Sequence, residues 1–363
     1  MRILAIDVGT GTQDILVFDP SGPVENSPKL VMPSPTATAA KRIRTATAAR
    51  EAVILTGATA GGGPCSWALS DHLEAGLPTF ATPRAAQTIN DDLDRVEAIG
   101  VQLVSAEEAA KLAGAQIEMR DIDLDAIRTS LRAFGSETRF DGVAIGVLDH
   151  GAAPPGVSDR LFRFQHLERV LRADPDARAF ASLPEDLPEY LTRARCALES
   201  ANSDVPTVFM DNGAAAALGA LHDPAAVAAG PQFVLNVGNM HALGYVVESG
   251  HLLGVFEHHT GELEPNRLAE MVDELVAGTL TNEAVFNSQG HGTLYLDEGP
   301  FETEVTVVTG PRRSVVEPLL PGAVAAAPHG DMMISGCFGL LEGFAYRVPE
   351  AAEFVERLRP TPA

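Results

Sequence analysis

Lysine is nearly missing from this chain. Lys29, Lys41 and Lys111 are the only three among 363 residues, and the other 23 basic residues are Arg. Against 49 acidic residues this leaves a net charge of −23. Nucleic-acid and anionic-membrane surfaces need clustered Lys and Arg, so the balance argues against both as partners. Cysteine is as scarce: Cys65, Cys196 and Cys337 are odd in number and far apart. That excludes a disulfide framework and zinc-finger spacing. An iron–sulfur cluster needs closely spaced thiolates from one chain, or a Cys shared across a dimer, and nothing favours the second arrangement. No apolar run reaches the ~20 residues that cross a membrane. The first residues lead straight into a strand pattern without a signal peptide, so a soluble cytoplasmic protein is expected. HExxH is absent, and the Gly-rich run Gly57-x-x-x-Gly61-Gly62-Gly63 lacks the GxGxxG spacing of a dinucleotide site.

What the chain does have is a repeat. Ala5-Ile6-Asp7-Val8-Gly9-Thr10-Gly11-Thr12-Gln13 followed by Asp14–Phe18 aligns without a gap, at an offset of 229 residues, with Val234–Val247. The second copy carries Asn236-Val237-Gly238-Asn239-Met240-His241 at its centre. Each copy reads as an apolar strand, an Asp or Asn, Val-Gly, a polar turn and a second apolar strand. Such a turn can hold a phosphate, because Gly lets the backbone approach and Thr or Asn adds donors. A plain hairpin turn also favours Gly and Thr. The duplication tips the balance toward phosphate, since two such turns on two similar domains could grip a polyphosphate from opposite sides.

The rest of the pattern is α/β, with strands and helices in alternation. Residues 3–8 and 14–19 read as strands, and 52–56 as a strand running into the Gly57–Gly63 turn and a helix. Residues 141–148 form a strongly apolar buried strand ending at Asp149-His150-Gly151, and 207–210 a strand before the small-residue helix 213–221. Residues 187–200, 263–277 and 313–319 read as helices, and 222–231 as a domain junction. The length suggests two domains: residues 1–230, enlarged by an insertion near 60–140, and residues 231–363.

The histidines give a second signal. His150, His241, His258, His259, His291 and His329 sit in Gly-rich or strand-end contexts. Glu257, His258 and His291 together could bind a divalent transition metal, which imidazole and carboxylate suit. Adjacent His258 and His259 would point to opposite faces of an extended chain, so at most one of them aims inward. Loop hydrogen bonding is the competing explanation. Asp149 and Asp211 each follow a strand, where α/β folds place ligands. Either could act as a base toward an attacking water or hydroxyl, or simply cap a helix; His150 stands beside Asp149.

Taken in order, these motifs resemble the actin-like ATPase superfamily of sugar kinases, actin and heat-shock chaperone ATPases. Ile6-Asp7-Val8-Gly9-Thr10-Gly11-Thr12 is similar to its first phosphate loop and Asn236-Val237-Gly238-Asn239 to its second. Pro206–Gly219 resembles its connecting segment, and Ile334-Ser335-Gly336-Cys337-Phe338-Gly339 its adenosine loop. Asp149-His150-Gly151, Glu257-His258-His259-Thr260 and Gly290-His291-Gly292 resemble a branch labelled a pyruvate formate-lyase activating enzyme. A radical activase of that kind needs three closely spaced Cys, and this chain has no such triplet.

The resemblance implies two ribonuclease-H-like α/β domains around a cleft that binds ATP and Mg. It puts Asp7, Gly9, Thr10, Gly11, Thr12, Gln13, Asn236, Gly238, Asn239 and His241 on the phosphates, and Gly336 and Gly339 at the adenosine. Asp7 would recruit the cation through water, and Asp149, His150 and Asp211 are the catalytic candidates. The second loop of active members carries Asp where this chain has Asn236, which can hydrogen-bond but brings no charge. The function expected is an ATPase or small-molecule kinase acting on a small substrate or a partner enzyme. The alternatives are a metal-dependent enzyme built on the His/Glu cluster and a nucleotide sensor that does not hydrolyse.

Overall fold

A computed structural model describes residues 1–360. In chain order its strands are β1 Ile3–Val8, β2 Thr12–Phe18, β3 Lys29–Pro33, β4 Val53–Gly57, β5 Thr79–Ala81, β6 Val101–Leu103, β7 Ala115–Met119 and β8 Gly142–Val147. They continue with β9 Ala181–Ser182, β10 Thr207–Asp211, β11 Gln232–Val237, β12 His241–Glu248, β13 His251–His259, β14 Gly292–Tyr295, β15 Val305–Thr309 and β16 Val324–Ala325.

The strands form three sheets. The first runs β3-β2-β1-β8-β10-β9 and the second β14-β13-β12-β11-β15-β16. In both, an antiparallel meander is joined on the side of its first strand by two parallel strands: β8 pairs with β1 and β10, and β15 with β11 and β16. This shared order is the ribonuclease-H-like plan, and its duplication is the actin-like ATPase fold. The central strands β8 and β10 are buried along their whole length, as parallel strands covered on both faces should be.

The repeat seen in sequence is a repeat in geometry. Gly9 N–H donates to Thr12 C=O at 2.9 Å, and Gly238 N–H donates to His241 C=O at 2.9 Å. Two helices fill the space between the sheets. Asn212–Ala220 is made of small residues, buried from Gly213 to Ala220. Ser335–Arg347 packs directly against it and against β1, β8 and β10. A Cβ on Gly339 would collide with the Ala215 carbonyl, and one on Gly219 with the Ser335 carbonyl. Glycine is therefore what lets these two helices touch.

The insertion is more regular than the sequence suggests. It carries a third, parallel sheet of order β6-β5-β4-β7 with its own apolar core around Val53, Leu55, Leu69 and Val96. The chain leaves β4 in one direction for β5 and returns on the other side as β7. The loop Gly57–Gly63 thus lies at a topological switch point, where such sheets place ligands. Elsewhere the helix read at 187–200 starts only at Thr192, after a turn in which Leu191 N–H donates to Pro188 C=O, and 313–319 forms two short 3₁₀ turns. The segment read as a junction holds the 3₁₀ turn Pro224–Ala226 and leads into β11. Among the described residues no helix is long and apolar enough to cross a membrane.

Candidate functional site

The two turns face each other across a cleft of about 1080 Å³. Gly9, Thr10 and Thr12 line it from the first domain; Asn236, Gly238, Asn239 and His241 line it from the second. A Cβ on Gly11 would collide with the Asn239 side-chain amide, so the turns meet where Gly11 has no side chain. Gln13 turns away and donates from Nε2 to Pro33 C=O at 3.3 Å. The insertion forms the far wall through Gly61–Gly63 and Thr88–Asp92.

Two carboxylates stand at the base. The hairpin register sets Asp7 opposite Asp14, so both project from the same face. Burial raises Asp7 to about 7, against a hydrogen bond from Asn212 Nδ2 at 3.2 Å. Burial, then the charge of Asp7, raises Asp14 to about 8. Asp14 Oδ1 is buried with no partner among the described residues. A magnesium ion takes oxygen ligands from one or two carboxylates plus water and phosphate, and this pair fits that need. The sequence analysis named Asp7 and not Asp14. The available signal was an Asp inside an apolar strand, opposite Asp7 across a tight turn.

The two catalytic carboxylate candidates are occupied structurally. Asp149 accepts from Gly151 N–H at 2.8 Å and Ala194 N–H at 2.9 Å. Asp211 accepts from Gly213 N–H at 3.0 Å, starting the helix 212–220, and pairs with Arg163 at 2.5 Å. Arg163 is only 1% exposed and also reaches Glu257 Oε2 at 3.2 Å. Burial pushes the Glu257 carboxyl up to about 7, and its Oε1 has no partner among the described residues. A buried polar atom left unpaired costs roughly 1–3 kcal/mol.

Around Glu257 the histidines converge. His150 follows β8, His241 opens β12, His259 ends β13 and His291 precedes β14. The register pairs His241 with His259 and sets Glu257 against Gly292. One ring nitrogen from each of the four histidines lies within 4.8 Å of the others. His150 Nε2 and His291 Nε2 are 2.9 Å apart. Strand alternation decides between the adjacent pair: His259 shares the face of Glu257, while His258 points the other way, with Nε2 3.1 Å from Ser288 Oγ. His258, expected as a ligand, therefore lies outside the group, and Glu257 stands behind it, Oε1 3.8 Å from His291 Nε2. Burial drives His150 down to about 4, and lowers His241, His259 and His291 as well, which favours the neutral ring in each.

Of the two glycines assigned to adenosine, Gly336 lines the cleft and Gly339 does not. Gly336 lies under Asp7, where a Cβ would strike the carboxylate, and Gly339 is buried between helices. Another loop that borders the cleft, after β15, is Thr309-Gly310-Pro311, with Gly310 held close against Asn236.

A family model described as "Putative pyruvate format-lyase activating enzyme (DUF1786)" matches residues 60–315, well over half of the chain. The chain belongs to this family. The thiolate cluster that an activase of that name needs does not form here. Cys65, Cys196 and Cys337 are free and buried in three different helices, and among the described residues no cysteine joins a group of metal-ligating side chains. No curated protein matches the chain. Among solved structures it is similar to the ethanolamine utilization protein EutJ from Carboxydothermus hydrogenoformans, at 12% identity over 94% of this chain and 89% of that one, TM-score 0.36. It is similar to the activator of 2-hydroxyisocaproyl-CoA dehydratase from Clostridium difficile with bound ADPNP, at 8% identity over 100% of both chains, TM-score 0.35. A ROK hexokinase from Thermus thermophilus shows 16% identity over 70% of this chain, TM-score 0.24, and the chain spans about half of that protein, 48%. Likenesses this distant say nothing of what a family member binds.

Proposed function

We propose that the interdomain cleft binds a nucleoside triphosphate with magnesium, for use as an ATPase or a small-molecule kinase. The observation that carries this is the duplicated hairpin: two turns of the same hydrogen-bonded form, each leading its sheet, meet across the cleft at Gly11 and Asn239. Thr10 and Thr12 on one side and Asn239 on the other would donate to the phosphates. Asp7 and Asp14 would hold the cation, which neutralises phosphate charge as phosphoryl transfer requires. Asn236 supplies no second charge from the facing domain, so the carboxylate pair of β1 and β2 carries the whole cation site. The base and ribose would extend toward Thr309-Gly310-Pro311. An acceptor would enter from the insertion wall, between Gly61–Gly63 and Thr88–Asp92.

A ligand that binds only the folded state raises its stability by mass action. Thermal unfolding with Mg-ATP, against Mg with inorganic phosphate, therefore tests the reading. A rise in Tm with Mg-ATP supports it, and no difference between the two contradicts it.

A further inference from the structure

Four histidines from both halves of the molecule meet at one point. His150 comes from the first domain; His241, His259 and His291 come from the second. The ring centroids lie 4.6–5.4 Å apart for every contact within the group. His291 is fully buried, and its Nδ1, like Nε2 of His241, has no partner among the described residues. His259 has a different arrangement: its Nδ1 lies 3.0 Å from Gln289 C=O. That contact fixes the tautomer and leaves Nε2 free, which is how proteins orient a metal-binding imidazole. Behind His291 stands Glu257, itself fixed by Arg163 and, through it, by Asp211.

We propose that His150, His241, His259 and His291 form a site for one divalent first-row transition-metal ion that ties the two domains together across the cleft. Metal–nitrogen bonds of about 2.0–2.1 Å set tetrahedral nitrogens about 3.3 Å apart. The observed nitrogens, all within 4.8 Å and the closest pair at 2.9 Å, bracket that spacing. An all-imidazole donor set suits zinc, cobalt, iron, nickel or copper and does not suit magnesium or calcium, which take oxygen. The site is therefore chemically separate from the Asp7–Asp14 pair. Glu257 stands beside the group, with Oε1 3.8 Å from His291 Nε2, and Arg163 holds it there. His150, His241 and His259 line the cleft, so the ion would stand in its wall beside the second turn. The group keeps His291 from the metal set expected from sequence, takes His259 in place of His258, and adds His150 and His241, which the sequence analysis assigned to catalysis and to the phosphates.

The proposal does not depend on nucleotide binding, and its test keeps the two apart. Co²⁺, whose visible absorption reports its ligands, is titrated into full-length protein stripped with a chelator, without nucleotide, and total metal is measured by mass spectrometry. The expected result is one Co²⁺ per chain, with the intense absorption of a four-coordinate nitrogen site and displacement by Zn²⁺. His259→Asn and His150→Asn each weaken binding by about tenfold or more, whereas His258→Gln leaves it unchanged. His150 lies in a loop, so its variant remains informative if a strand variant fails to fold. Absence of stoichiometric Co²⁺, or full-affinity binding by both folded His150→Asn and His259→Asn, overturns the proposal. Co²⁺ binding without Mg-ATP binding supports this site and contradicts the nucleotide reading; Mg-ATP binding without Co²⁺ does the reverse.

Discussion

His150 follows a strand of the first sheet and His291 precedes a strand of the second, 141 residues apart in sequence, yet their Nε2 atoms lie 2.9 Å from each other. A second contact between the two halves, Gly11 with the Asn239 side chain, lies two residues from His241, whose ring centroid is 5.1 Å from that of His291.

The Gly11 contact yields a direct prediction. An added methyl group at Gly11 meets only the end of the Asn239 side chain, which can swing aside. Gly11→Ala is expected to fold with a stability change below about 1 kcal/mol. It should nevertheless weaken Mg-ATP binding by about tenfold or more, because the turns no longer meet. Circular dichroism melts and equilibrium titration on the same sample check both halves.

Gly339 predicts the opposite pattern. Its neighbour is the Ala215 backbone carbonyl, which cannot swing away. Gly339→Ala should overpack the central helix pair and cost about 1–3 kcal/mol of stability. Nucleotide affinity of the folded fraction should not change. Urea denaturation and titration separate this packing role from the adenosine role the resemblance implies.

Arg163 holds Asp211 at 2.5 Å and Glu257 at 3.2 Å in the interior. Arg163→Met leaves two buried carboxylates without their cation. Breaking such a network by removing one partner costs about 3–5 kcal/mol. Urea denaturation of Arg163→Met should show this loss. A loss below about 1 kcal/mol would mean that the network contributes little.

The pH dependence of stability should carry a signature of Glu342. Despite its burial, hydrogen bonds from Arg359 Nε at 2.7 Å and His222 Nε2 at 3.0 Å hold its carboxyl down at about 2. A depressed carboxyl adds stability that is present above its unfolded value and lost as pH falls toward the folded one. The stability gap between wild type and Glu342→Gln should be on the order of 2–3 kcal/mol above pH ~4.5 and shrink as pH drops toward ~2. Urea midpoints of the two proteins at several pH values measure it. A gap that stays constant with pH would refute this assignment.

How much of this was legible in the residues depends on range. The repeated hairpin, its two turns and the buried strand β8 follow from local pattern, because glycine turns and apolar strands are local matters. Strand β7 was missed because it is an edge strand with Gln116 and Glu118 exposed, so it looks amphipathic rather than buried. Strand alternation foretold that only one of His258 and His259 faces inward, but not which. That depends on the pairing of β13 with β12 and β14, a tertiary fact. Asp149 and Asp211 looked catalytic because they end strands. Their carboxylates are taken by backbone N–H groups and Arg163, partners that sequence order does not reveal.

Calorimetric titration of Mg-ATP into wild type and Asp7→Asn tests the central claim most directly. The account predicts one nucleotide per chain for wild type and a loss of about tenfold or more in affinity for Asp7→Asn, with the fold intact. Equal binding by the two proteins, or none by wild type, would contradict it.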